Sequence, residues 1–128
     1  MKNFLVSLLL AALSTSSYSA YFDDQLELAE QGLAEAQYNL GLMYGNGEGV
    51  QQDDKTAAMW WTKAAEQGYA RAQSNLGVMY DNGSGVPEND KIAVMWYTKA
   101  AEQGYARAQS NLGVMYDNGS GVPENDKT

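Results

Sequence analysis

Two arginines, Arg71 and Arg107, stand 36 residues apart in a chain that carries 16 Asp and Glu against 8 Lys and Arg. Each heads the same helical-spaced set: Arg71, Ser74, Val78 and Asp81 in one place, Arg107, Ser110, Val114 and Asp117 in the other. Two guanidinium groups in an acidic chain could hold a carboxylate or an acidic peptide through paired N–H donors. The plainer assignment is a solvated face on which these arginines meet nearby acids. Other chemistry is scarce. There is no His and no Cys, which removes the usual general base, the thiolate nucleophile and typical zinc sites. The carboxylate pairs Asp53 with Asp54 and Glu88 with Asp90 could serve glycan hydrolysis only across a cleft, with one acid in an apolar pocket. Both pairs lie at expected helix starts, where capping accounts for them. The segment DNGSGVPEND puts Gly85 and Val86 where a calcium loop needs an oxygen ligand and its sharp-turn glycine. GNGEG at Gly45 to Gly49 follows no strand and precedes no Lys-Ser/Thr pair, so it is a turn and no phosphate loop. These residues imply no metal and no cofactor. Asn82-Gly83-Ser84 and Asn118-Gly119-Ser120 are sugar-acceptor triplets in a host that glycosylates its exported proteins.

The elements that must position the arginines come from a tandem repeat. Thirty residues, Thr62 to Lys91, recur letter for letter 36 positions later as Thr98 to Lys127, and a looser copy begins at Ala29. Stacked copies of one short unit make an extended surface more readily than a catalytic pocket. In the middle copy, Ala70 to Tyr80 reads as a helix, with Ala72, Leu76, Met79 and Tyr80 on one face. Gly83, Gly85 and Pro87 end it in a loop. Asn89 is the expected N-cap of a second helix running through Ile92, Ala93, Trp96, Tyr97 and Ala100 to about Gln103, and Gly104 stops it. Helices of this length are marginal alone in water. They must pack, and Trp60, Trp61, Trp96 and Tyr97 are the anchors expected to bury most area. Gly77 recurs as Gly41 and Gly113 inside the first helix, which predicts that another helix backbone passes there too close for a Cβ. The division of the chain is a leader over 1–19, a capping half-repeat over 20–28, repeats over 29–64 and 65–100, and a third repeat over 101–128 that stops before its second helix.

The leader, MKNFLVSLLLAALSTSSYSA, has a cation at Lys2, an apolar run from Phe4 to Leu13, and small polar residues after it, with cleavage expected after Ser19. The apolar run is 10 residues, against about 20 for a bilayer-spanning helix, so no stable membrane insertion is expected. Cleavage removes only Lys2 among the charges, leaving 7 basic against 16 acidic groups, a net charge of -9. That charge disfavours nucleic acid and anionic membranes. It also keeps a protein soluble.

Leu76, Gly77 and Tyr80 (LGxxY), Gly83, Gly85 and Val86 (GxGV), and Trp96, Tyr97, Lys99 to Glu102 and Gly104 (WYxKAAExG) resemble the Sel-one-like repeat family, whose tetratricopeptide-like helix pairs carry a longer loop. The resemblance spans Ala29 to Thr128. The chain departs from the family's usual Lys at Thr56, Ile92 and Thr128 and from its commoner Asp at Asn89 and Asn125, changes that bear on capping and charge. The resemblance implies an all-α fold, an α-α superhelix (solenoid) of helix-turn-helix repeats, acting as an adaptor for another protein or peptide in the bacterial periplasm or outside the cell. In related solenoids the Arg71, Ser74, Val78, Asp81 face lines a concave groove. Stacking would then form ladders of Glu35, Arg71 and Arg107; of Tyr38, Ser74 and Ser110; and of Leu42, Val78 and Val114. Two alternatives stand beside the adaptor. One is an envelope enzyme of the penicillin-binding or β-lactamase kind claimed for cysteine-rich relatives, and the other is a truncated copy without function.

Overall fold

The computed structural model describes residues 17–123. Most of the segment read as a leader, residues 1–16, and the residues from Glu124 to Thr128 lie outside the described residues. Between them run six helices and no strand: α1 over 17–30, α2 (Ala34–Asn46), α3 (Asp54–Glu66), α4 (Ala70–Asn82), α5 (Asp90–Glu102) and α6 (Ala106–Asn118). Consecutive helices pack on one another from α2 to α6, and α1 packs on α2 through Phe22, Leu26 and Ala29 against Ala36, Leu40 and Met43. The fold is an α-solenoid, with α2, α4 and α6 as the first helix of each unit and α3 and α5 as the second.

The local chemistry sets the boundaries. Asp53 caps α3 by accepting from the N–H groups of Lys55 and Thr56 at 3.1 and 3.2 Å, and it also accepts from the Thr56 hydroxyl at 2.8 Å. These donors hold the Asp53 carboxyl below its usual range, the Thr56 hydroxyl first among them. Asn89 caps α5, accepting from Ile92 N–H at 3.1 Å, as its position predicts. The end of α4 differs from expectation: Asp81 and Asn82 continue the helix. Gly83 stops it with φ +71° and an N–H bonded to the Met79 carbonyl, the left-handed C-cap that glycine adopts without Cβ strain.

Each second helix seats a ring on a glycine of the first. A Cβ on Gly77 would meet Tyr97 Cδ1 and Cε1 at 2.6 Å, and one on Gly41 would collide with the Trp61 indole. The close approach expected at these glycines is therefore made by an aromatic side chain and not by a helix backbone. Trp61 is fixed further by its indole N–H, which donates to the Tyr38 carbonyl at 3.1 Å. Trp60, Trp61, Trp96 and Tyr97 are all buried. Rings of this size bury about 150–250 Å² each, an upper bound of roughly 4–6 kcal/mol apiece.

Successive units are joined by polar contacts at the turns. Gln37 and Gln73 donate back to the carbonyls of Ala29 and Ala65 at 3.2 and 3.1 Å. Their side-chain oxygens accept from Gln67 and Gln103 of the following turn at 2.8 and 2.9 Å. The loops make a second joint. Gly85 and Gly121, both with positive φ, lie so near the backbone at Asp54 and Asp90 that a Cβ on either would clash with a carbonyl. Tyr18 of α1 holds the corresponding place beneath Gly49, so α1 occupies the position of a second helix ahead of the first full unit.

Candidate functional site: the face of α2, α4 and α6

The first helices of the three units share one open depression of about 250 Å³, lined by Leu42 and Asn46 of α2, Trp61 of α3, Asn75, Val78 and Met79 of α4, and Arg107 of α6. Its floor is apolar, because Met79 is buried and Val78 packs against Ala93, Tyr97 and Met115. Amides and one guanidinium form the polar part of its wall. Such a mixture suits a peptide that offers an apolar side chain beside a carboxylate, since the guanidinium carries fixed paired donors.

The eight residues singled out by spacing fall in different places. Arg107 and Val78 line the depression. Arg71 is exposed on α4 and lies close enough to the Tyr38 hydroxyl to act on its ionisation. Burial pushes the Tyr38 phenol up, Tyr105 adds to this, and Arg71 and the Asn75 amide oppose it. Asp81 is half-buried beside Tyr97, whose phenol is pushed up to about 12 by burial first and by the Asp81 carboxylate second, with Arg107 opposing. Ser110, Val114 and Asp117 are exposed on α6.

Ser74 does not line a groove. It is 0 % exposed, and its hydroxyl has no hydrogen-bond partner among the described residues. The reason is positional: α4 has a further unit packed beyond it and α6 has none among the described residues, so the same serine is covered in α4 and open as Ser110 in α6. Spacing alone missed Asn75, Asn46 and Trp61. A signal for Asn75 was present, because Asn39, Asn75 and Asn111 recur at the period in helix interiors, where asparagine is unfavourable without a packing or binding role. Tyr38 and Tyr69 flank this region with ring centroids 5.2 Å apart.

Among the described residues no three His, Cys, Asp or Glu side chains gather as a metal site would need. No helix among them is long and apolar enough to cross a membrane. Stacked helix pairs with an open, mixed polar and apolar face define a helical-repeat scaffold, a class whose surfaces serve protein–protein contact.

The chain belongs to the Sel1 repeat family, whose description matches residues 34–69, 70–105 and 106–128. The matched units begin at the first residues of α2, α4 and α6, a later phase of the same 36-residue period than boundaries at 29, 65 and 101. Solved structures agree. The chain is 48% identical, with a TM-score of 0.77, to a protective antigen of uropathogenic Escherichia coli displaying an SLR fold, over 78% of this chain and 21% of that one. A Sel1 repeat protein from Oxalobacter formigenes is 36% identical with a TM-score of 0.75, over 90% of this chain and 49% of that one. Helicobacter pylori cysteine rich protein B is 30% identical with a TM-score of 0.68, over 71% of this chain and 68% of that one. The chain thus spans a fifth to two thirds of the length of these neighbours. No curated protein matches it.

Proposed function

We propose that this chain is an exported adaptor that holds an acidic segment of another protein or peptide against the face of α2, α4 and α6, without catalysis. The observation that carries this reading is the shared depression, in which Arg107 stands at the edge of a floor made by Leu42, Val78 and Met79. Arg71 supplies a second cation one unit back, so an extended ligand meets a guanidinium on α4 and on α6, while α2 carries Glu35 at the same position. A ligand carboxylate gains two parallel N–H bonds from either arginine. The acidic surface elsewhere on the chain repels an acidic ligand, so such a ligand is held where the arginines stand and not elsewhere. The absence of His and Cys from the sequence favours holding over chemistry. Export is supported by the order of cation, apolar run and small residues in the first 19 positions.

Selection of displayed random peptides against the full chain tests the groove. Enriched peptides should carry Asp, Glu or a free C-terminal carboxylate next to an apolar residue. Replacing both Arg71 and Arg107 by Ala should weaken their binding at least tenfold with helicity unchanged. Enrichment without acidic residues, or binding indifferent to the double replacement, overturns the groove. N-terminal sequencing of the protein recovered from the cell envelope tests export separately: Ala20 as the first residue is expected, and Met1 contradicts it.

A further inference from the structure

The methionines among the described residues fall into two sets. Met43, Met79 and Met115, on the first helices, are 4, 5 and 3 % exposed, whereas Met59 of α3 and Met95 of α5 are 46 and 42 % exposed. The buried three sit in the clusters that hold the units together: Met43 with Leu40 and Trp60, Met79 with Leu76 and Trp61, Met115 with Ala93 and Tyr97. Neither Met59 nor Met95 belongs to these clusters. A full unit, α4 and α5, is packed beyond α3, yet Met59 is as open as Met95. Their exposure is thus a property of the outer face of the second helices and not of a unit's place in the stack.

The surroundings are the same at both. Lys55 and Lys63 stand four residues before and after Met59, and Lys91 and Lys99 stand so around Met95, all of them exposed. That spacing puts each methionine and its two lysines on one side of the helix. Lys63 Nζ lies 5.2 Å from the centroid of the Trp60 ring and Lys99 Nζ 5.3 Å from that of Trp96, so an ammonium covers the indole that follows each methionine. Those indoles are buried. The thioether is therefore the open oxidisable group on this face.

We propose that the outer face of α3 and α5 is an oxidant-reactive site, at which Met59 and Met95 take an oxygen atom from a hydroperoxide and become sulfoxides while the core methionines stay reduced. The sulfur attacks one peroxide oxygen, the O–O bond breaks and an S–O bond forms, and with hydrogen peroxide the hydroxide released takes the proton of the transferred oxygen and leaves as water. Sulfur gives up two electrons and the peroxide accepts them. A methionine sulfoxide reductase reverses the step. On the outer face the new dipole stands in water between two ammonium groups, so the helices keep their packing; at Met43, Met79 or Met115 it would enter an apolar cluster and break a unit. Oxidant is consumed at the surface before the core is reached. Neither methionine lines the depression shared by α2, α4 and α6.

The test treats the full chain with hydrogen peroxide, stops the reaction at intervals, and reads each methionine by trypsin digestion and mass spectrometry. Met59 falls in TAAMWWTK and Met95 in IAVMWYTK, while Met79 and Met115 share one peptide sequence and Met43 lies in another. Met59 and Met95 should oxidise about tenfold faster than the rest or more, with helicity and melting temperature unchanged, and methionine sulfoxide reductase should restore both. In urea the difference should vanish, because the fold alone separates the two sets. Comparable rates for all of them in the folded chain overturn the proposal. So does loss of helicity once Met59 and Met95 are oxidised, or oxidation of Trp60 or Trp96 ahead of them.

Discussion

The side-chain amide of Gln103 donates to Gln73 Oε1 and to the Gly68 carbonyl, both at 2.9 Å, and so ties the turn after α5 to the turn and helix one unit earlier. Gln67 repeats the arrangement on Gln37 and Gly32 at 2.8 and 2.9 Å. These amides form a ladder along one edge of the stack, with each rung across a unit boundary. The relationship explains why glutamine, a long side chain with appreciable rotamer entropy to lose on ordering, stands at these turns: its amide nitrogen donates twice, to a carbonyl and to a glutamine oxygen one unit earlier.

Gln103→Ala removes two hydrogen bonds and leaves the partly buried Gln73 oxygen without its protein donor. A loss of about 1–2 kcal/mol is expected, read as a lower urea midpoint at unchanged slope. Because units support their neighbours, amide exchange should speed in both α4 and α5. Acceleration confined to the turn at Gln103 would show that the rung does not couple the units.

Tyr97 predicts an alkaline limit to stability. Its native phenol titrates at about 12, against an ordinary value near 10 in the unfolded chain. Between those values the unfolded chain gives up the proton and the native chain keeps it. The stabilisation is therefore complete below pH about 10 and is lost as the pH rises toward 12, by roughly 2 kcal/mol. Tyr38, also pushed upward, adds in the same direction. Melting temperature should fall between pH about 10 and 12, and Tyr97→Phe should flatten part of that fall. An undiminished fall in the variant would place the alkaline sensitivity elsewhere.

Much of this architecture can be read from letters alone, for physical reasons visible at particular residues. The period locates both helices, Asn89 and Gly83 mark their ends, and the paired aromatics mark the core, because each of these signals is local. Asp81 and Asn82 mislead: both are weak helix formers, yet the left-handed Gly83 holds the last turn closed through the Met79 carbonyl. Gly77 announces a close approach without naming the group that approaches, since Tyr97 lies 20 residues further along the chain. Ser74 and Ser110 set the firmest limit. They sit in identical thirteen-residue helices, and no local reading separates one that is wholly covered from one that is open. Their difference belongs to the number of units stacked beyond them.

The central claim is that the α2–α3 and α4–α5 units are each closed by a ring from the second helix seated on a glycine of the first. Two substitutions in the same local sequence test it most directly: Gly77→Ala and Gly113→Ala, compared by urea unfolding of the full chain. A Cβ at Gly77 meets the Tyr97 ring at 2.6 Å, and one at Gly113 meets nothing within 4 Å. Gly77→Ala should lose about 1–3 kcal/mol through overpacking, while Gly113→Ala should hold its stability or gain up to about 1 kcal/mol from better helix propensity. Equal shifts in the two variants would contradict the account.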